Sequence, residues 1–332
     1  MSISYRQFRL ADEEPTKLLR LFAATYGSAR RLEARWDWQY ANHPQSDRVL
    51  ILVAVQDERI VAATSYLPMD ILIAGRVLTC HHASDSMVHP EFRRRGLMSE
   101  LYKRAIKEIG TNCAKGVNRG MDKLLEGLGY QYVEPDSTRV RYISPVRLVL
   151  NRLMGSGPRA MADVPRRGLH SQLKWVGRFD SRFDEFWNRV APRYSAVVVK
   201  NSDYMNWRYV DIPHREYVAL LREQDDQVVA VLVLSLHTDS ASIADIIWDR
   251  EVSKEPAFTV RAAITWARRA GFNKLSCWGT FSDLSDALQR TFFVDRGPPL
   301  RFLAYADGEQ SRRAFQGDRA HFVDGDCDSE YV

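Results

Sequence analysis

The sequence predicts a mixed α/β fold in which one domain design is used twice, and three observations predict it. An aromatic motif recurs: Trp38-Gln39-Tyr40 is followed by Ala-Asn-His-Pro44, and Trp207-Arg208-Tyr209 by Val-Asp-Ile-Pro213. After each copy come three strand-like runs, a helical run, a strand, a helix and a strand, in the same order. The spacing between these runs also matches, which chance does not readily supply.

Each element follows from its local pattern. In the first half, residues 49–55 and 60–66 are rich in Val, Ile and Ala and flank the polar turn Gln56-Asp-Glu-Arg59, so they read as a strand pair. Residues 77–88 read as a third strand. Leu97, Met98, Leu101, Ala105 and Ile106 keep the i, i+3/i+4 spacing of a helix over 97–109. A strand at 113–117, a helix at 119–128 and a strand opening at Tyr130 follow. The second half repeats this series with strands 216–221, 228–236 and 241–248, helix 258–270, strand 274–278, helix 283–289 and a strand opening at Phe293. Gly, Pro and Arg in Met154-Gly-Ser-Gly-Pro-Arg159 and Val164-Pro-Arg-Arg-Gly168 mark a linker. The expected divisions are a first domain at 1–150, a linker at 151–175, a second domain at 176–306 and a loose polar tail at 307–332.

Composition narrows the class. With 332 residues, 45% of them apolar and 27% charged, the chain can build two ordinary cores and cover them. Its 47 basic and 42 acidic residues leave a dispersed excess of +5, which argues against a nucleic-acid partner. Cys80, Cys113, Cys277 and Cys327 show no C-x-x-C spacing, so neither a metal site nor a disulfide framework is expected. The longest apolar run, Val228 to Leu236 with Ser235 inside it, is far short of the roughly 20 residues that span a bilayer. The start of the chain lacks an apolar signal core. A cytoplasmic protein without a membrane partner, monomer or homodimer, is the expectation.

The chemistry lies in Val88-His-Pro-Glu-Phe-Arg-Arg-Arg-Gly-Leu-Met-Ser99. A strand feeds a basic turn holding one glycine, and the turn opens a helix. Backbone N–H groups and positive charge then meet where a phosphate could sit, and Gly96 lets the backbone approach that anion. Arg93, Arg94, Arg95, Gly96, Leu97, Met98 and Ser99 are the candidate anion-binding residues.

This stretch resembles the pyrophosphate signature of the GCN5-related N-acetyltransferases (GNAT), Arg/Gln-x-x-Gly-x-Gly/Ala, with the family's Val-x-Pro lead-in at Val88-His89-Pro90. Met98 departs from it, standing where a small residue is usual. The two-domain layout is similar to a tandem subset of that family, which implies two GNAT-like acyl-CoA N-acyltransferase domains. The second copy departs further: Asp249, Glu251 and Glu255 occupy its glycine-free turn and would repel a pyrophosphate. That copy is expected not to bind coenzyme A but to support the first or to wall its acceptor cleft.

The resemblance implies roles residue by residue. The family's base, a Glu or His about eleven residues before the first Arg/Gln of the motif, falls on His82; an imidazole with a pKa near roughly 6.5 suits removal of an ammonium proton. Asp85 is the alternative, because a bulge in this strand would shift the facing of its residues. Backbone near Met87 and Val88 would hold the pantetheine arm and polarise the thioester. Asn118 matches a cofactor-bonding Asn, although Asn also caps helices. Leu124-Leu125-Glu126-Gly127-Leu128-Gly129-Tyr130 matches Leu-Tyr-Glu-x-Leu-Gly-Phe except at Leu125, so the family's phenolic acid is missing; water, Ser84 or Tyr130 could replace it. Trp36, Trp38, Tyr40, Trp207 and Tyr209 could line an acceptor site but read better as core, because the motif recurs in the half without a cofactor loop, and Arg30, Arg31 and Arg35 read as a solvated helix face. The implied activity is transfer of an acetyl group from acetyl-CoA, with no metal, to a primary amine of a small molecule or amino sugar, by direct attack in a ternary complex. Two other readings remain: an aminoacyl-tRNA-dependent aminoacyltransferase of the peptidoglycan type, whose long helical arm has no counterpart in this sequence, and a non-catalytic coenzyme A-binding module.

Overall fold

A computed structural model describes residues 2–73, 75–133, 138–144, 173–252, 255–296, 301–316 and 320–326. The first half runs β1 (Ser4–Gln7), α1 (Thr16–Tyr26), α2 (Arg30–Trp36), β2 (Leu50–Gln56), β3 (Arg59–Pro68), β4 (Ile71–Ile73), β5 (Arg76–Leu78), β6 (His81–Val88), α3 (Leu97–Ile109), β7 (Asn112–Lys115), α4 (Arg119–Gly127), β8 (Gln131–Tyr132) and β9 (Arg139–Tyr142). The second runs β10 (Lys174–Val176), α5 (Ser181–Val190), β11 (Ala196–Val198), α6 (Ser202–Tyr209), β12 (Tyr217–Gln224), β13 (Gln227–Leu236), β14 (Ser240–Trp248), α7 (Glu255–Arg269), β15 (Lys274–Cys277), α8 (Ser282–Arg290), β16 (Val294–Asp295), β17 (Phe302–Tyr305), α9 (Glu309–Gln316) and β18 (Ala320–His321).

Two seven-stranded sheets result, ordered β1-β2-β3-β6-β7-β17-β8 and β10-β12-β13-β14-β15-β9-β16. Position by position they are one mixed topology: four antiparallel strands, then a parallel step from β6 to β7 and from β14 to β15. The central strands are buried along almost their whole length, because helices cover both faces. Helix α3 turns Leu97, Leu101, Tyr102 and Ala105 inward as one stripe.

The sixth strand of each sheet is exchanged. β17, from the end of the second half, pairs with β7 and β8; β9, from the end of the first, pairs with β15 and β16. The expected divisions at 1–150 and 176–306 therefore do not enclose self-contained sheets. Each half lends the other a strand, and buried Phe302 and Leu303 of β17 pack into cores that hold first-half residues.

Two further expectations change. The strand expected at 77–88 is broken at Thr79–Cys80: β5 folds back on β4, and β6 joins the first sheet. The hairpin β4–β5 instead belongs to a four-stranded sheet ordered β18-β11-β4-β5, which ties the two halves together. The region expected as a loose tail contributes α9 and β18 to that junction, where Phe315, Ala320, Phe322 and Val323 are buried. Those apolar residues are the signal that the polar average of the segment hid. Most of the expected linker lies outside the described residues, although Lys174–Val176 at its end is strand β10, paired with β12.

Candidate active site

The cleft begins where two strands part. β6 pairs with β7 only at His81↔Asn112 and His82↔Cys113, whereas β14 and β15 stay paired over four residues. Beyond His82 the β7-facing edge of β6 has no ladder partner among the described residues. A bulge lies in the same stretch: two steps along β3, Ala63 to Ser65, oppose three along β6, Met87 back to Ser84. Asp85 takes up the extra residue with φ 48°, a conformation costly for a side chain with a Cβ. Between the diverging strands lies a cleft of about 840 Å³, walled by Ala83–Ser86, Tyr102, Ala114–Asn118 and, from α1 and α2, by Phe22, Tyr26, Arg30, Arg31 and Arg35.

Asp85 is held from several sides. Its Oδ1 accepts from Arg35, and its Oδ2 accepts from Gln39 Nε2 at 2.8 Å and from the Tyr40 hydroxyl at 2.7 Å. Arg35 Nε in turn donates to Gln39 Oε1 at 2.6 Å. A buried ion pair is stable only when its remaining donors and acceptors are satisfied, and this network does so. Burial and the neighbouring Asp85 carboxylate push the Tyr40 phenol well above its usual range, so it stays a protonated donor. A π-helical turn at Asp37–Ala41 makes the arrangement possible, since it turns Trp38, Gln39 and Tyr40 inward in succession. Arg35 is thus no part of a solvated face, while Arg30 and Arg31 are exposed as expected.

Leu125 is fully buried in the core beneath the sheet and supplies nothing polar. Of the replacements expected, Tyr130 is buried with its hydroxyl on Asn112, and Ser84 lies on the cleft wall, 3.3 Å from Gln39 Nε2. A further phenol, Tyr102 on α3, lines the cleft with its oxygen 3.1 Å from Ser86 Oγ, which lies 2.8 Å from Thr64 Oγ1. Sequence reasoning did not single out Tyr102, which the fold buries with the apolar stripe of α3. A buried tyrosine on such a stripe usually aims its hydroxyl at something polar, and that was the available signal.

His82 does not reach the cleft. It is buried beside a gap of about 20 Å³ at the junction of the halves, near His43, Tyr204, Trp207 and Asp326. Burial, with Lys115 and Arg208 adding repulsion, pushes its imidazole down to about 3. Such a ring is a weak acceptor for an ammonium proton, and His82, expected as the base, lies off the cleft, whose wall carries the carboxylate of Asp85, the expected alternative.

The basic turn is open. Arg94 and Gly96 have φ 62° and 76°, and Arg93, Arg94, Arg95 and Gly96 are exposed. The first helical hydrogen bond runs from Glu100 N–H to Gly96 O at 3.1 Å, so the N–H groups of Leu97, Met98 and Ser99 stay open at the helix end. Side chains of Leu97 and Met98 pack into the core beneath. Met87 is buried on the opposite face of the sheet, and Val88 is half-buried. Asn118 caps α4 by accepting from Gly120 and Met121 N–H, both at 3.0 Å, and also lines the cleft. No cluster of His, Cys, Asp or Glu among the described residues could hold a metal, and none of their helices is long and apolar enough to cross a membrane.

The second copy closes the equivalent space. The register pairs Ala62↔Val88 and Ala230↔Trp248 align the sheets, so Asp85 and Asp245, each three residues earlier, correspond. Tyr209 donates to Asp245 at 2.8 Å as Tyr40 does to Asp85, but Lys200 stands in for Arg35 and also binds Asp326 at 2.7 Å. Residues 320–326 lie where the strands part: Val323 bridges Gly279, and Thr280 N–H donates to Phe322 O at 3.0 Å. A Cβ on Gly325 would sit 2.0 Å from the Tyr209 hydroxyl oxygen. The chain's own segment thus fills the second cleft, and its Asp324 reaches Lys115 of the first at 2.5 Å. Asp249, in the second turn, is bound by Arg189 and Arg193 rather than left free.

Comparisons agree with this architecture. Residues 6–115 match the family described as acetyltransferase (GNAT) domain. The fold is similar to that of a GCN5-related N-acetyltransferase from Anabaena variabilis (TM-score 0.63, 11% identity, covering 91% of this chain and 72% of that one). It is also similar to Saccharomyces cerevisiae N-myristoyltransferase with bound myristoyl-CoA (TM-score 0.58, 12% identity, 95% and 84% covered). A probable N-acyltransferase from Enterococcus faecalis matches with TM-score 0.59 at 11% identity, with 92% and 72% covered. Comparison with curated proteins finds no match. The stretch that builds the strands of the cleft, residues 6–115, is thus the part of the chain that matches the acetyltransferase (GNAT) domain family.

Proposed function

We propose that this protein is an N-acyltransferase that moves an acyl group, acetyl in the first instance, from acyl-coenzyme A to an amine by direct attack within a ternary complex. One observation carries the reading: the edge of β6 left without a ladder partner faces a cleft walled in part by Tyr102 of α3, the helix whose start leaves its N–H groups and arginines open. In this reading the turn from Arg93 to Ser99 holds the pyrophosphate, and backbone at Met87 and Val88 holds the pantetheine arm. Asn118, with its side-chain oxygen committed to the helix cap, acts at the cleft wall through its remaining amide group.

The amine nitrogen attacks the thioester carbonyl; a C–N bond forms, the C–S bond breaks, the amine loses a proton and the thiolate gains one. Backbone N–H groups on the open strand edge stabilise the developing oxyanion, and most of the remaining barrier falls by holding both substrates together. Asp85, on the cleft wall and oriented by Arg35, Gln39 and Tyr40, takes the amine proton. Tyr102 gives a proton to the departing thiolate, in place of the phenol that Leu125 lacks.

Thiol release with acetyl-CoA across a panel of amines tests this, with myristoyl-CoA as a second donor because one structural neighbour holds that thioester. Amine-dependent release with an acylated product by mass spectrometry is the expected result. Tight acetyl-CoA binding with no release for any amine would leave a non-catalytic coenzyme A module.

A further inference from the structure

The charges on the cleft wall do not cancel. Five charged residues line it: Arg30, Arg31, Arg35, Asp85 and Lys115. Arg35 pairs with Asp85, and Lys115 pairs with Asp324 at 2.5 Å and also stands over the Trp278 ring. Arg30 and Arg31 remain, both exposed and without an ion pair among the described residues. Two exposed arginines on one cleft wall, with the one lining carboxylate already paired to Arg35, form a site for an oxyanion. They sit on α2, while the phosphate-binding turn from Arg93 to Ser99 does not line this cleft. Nothing in that arrangement makes them a second cofactor-phosphate site. Phe22 and Tyr26 of α1 lie on the same wall and offer an apolar face beside the cations.

We infer that the acceptor amine carries an anionic group, a carboxylate or a phosphate, which Arg30 and Arg31 bind while the amine points toward Asp85. This rests on the reading of the cleft as the acyl-transfer site. It makes a plain amino sugar or a polyamine a poor acceptor. A polyamine would bring further positive charge against the two arginines.

The test uses the full chain and matched acceptors that differ in one charge: amino acids against their amides, and aminoalkyl phosphates against the amino alcohols. The anionic member should be acylated with a kcat/KM about 10- to 100-fold higher, as loss of a charge-assisted contact predicts. In the double variant Arg30→Gln/Arg31→Gln that advantage should vanish through KM, with acetyl-CoA affinity retained. Whether carboxylate or phosphate is favoured separates the two sources. Equal use of charged and neutral acceptors would overturn the inference, and so would weakened acetyl-CoA binding in the double variant, since the arginines would then serve the cofactor. A second measurement does not need turnover: N-acetyl amino acids and their amides are titrated into the coenzyme A complex. The carboxylate should bind more tightly in the parent protein and not in the variant. That result in a chain that never turns over would sink the acyl-transfer reading alone, and equal binding of both probes would sink this one.

Discussion

Trp38 donates its indole N–H to the Trp207 carbonyl at 2.6 Å, and Trp207 returns the same bond to the Trp38 carbonyl at 2.8 Å, with the rings stacked 4.8 Å apart. The two residues hold the same place in the repeated aromatic motif, so the contact lies on the pseudo-two-fold axis that relates the halves. The motif recurs because both copies are needed to make one joint.

Removing either ring should loosen that joint. Trp207→Ala is expected to cost about 3–5 kcal/mol of stability, the usual range for a buried tryptophan. A double-mutant cycle of Trp38→Phe and Trp207→Phe should show coupling of roughly 0.5–3 kcal/mol in denaturant unfolding. Additive effects would mean that the rings act separately.

The strand exchange predicts how truncation fails. A chain ended near Arg159 lacks β17, which pairs with β7 beside the cleft, so it should not fold alone. Far-UV circular dichroism and amide exchange would check this, and co-expressing residues 160–332 should restore a soluble complex. A stable, cooperatively unfolding first half would contradict the exchange.

Buried histidines give the stability a pH dependence of definite sign. His82 sits at about 3 when folded and near 6.5 when unfolded, and His43 and His81 at about 4. The unfolded chain binds more protons across this window, so stability is full above pH ~6.5 and falls as pH drops toward 3. The slope of stability against pH should flatten by about one proton in His82→Gln. The pH–rate profile of the parent protein should carry no limb that this substitution removes.

The two cleft groups should separate kinetically. Asp85→Asn should lower kcat by roughly 10²–10⁴-fold with coenzyme A affinity retained. It should also lose stability, because Arg35 is left buried without its partner. Tyr102→Phe should lower kcat by less with poor thiol leaving groups than Asp85→Asn does, and hardly at all with thioesters of more acidic thiols. An equal loss for all thioesters would remove Tyr102 as the proton donor.

Much of this was legible in the sequence, for local reasons. Helix 97–109 matches its expected bounds because its apolar stripe is local, and the bulge in β6 at Asp85 was foreseen as one that would shift the facing of its residues. Long-range partners were not legible. Nothing in Arg139–Tyr142 or Phe302–Tyr305 says that each pairs in the other half's sheet, since a short strand carries a facing pattern but no address. The arginine at position 35 reads as solvated on a seven-residue helix until the fold sets Asp85 against it. The terminal segment looked loose because its charges dominate the average, while the fold pairs Asp324 and Asp326 with buried lysines and buries the apolar residues between.

One measurement bears most directly on the central claim, that only the first of the two copies holds a nucleotide-bearing thioester. Calorimetric titration of the full chain with acetyl-CoA should give one site per chain, and Gly96→Glu, which places a carboxylate at the open exposed turn, should abolish it while the thermal transition stays cooperative. Two equivalent sites, or unaltered affinity in the variant, would contradict the account.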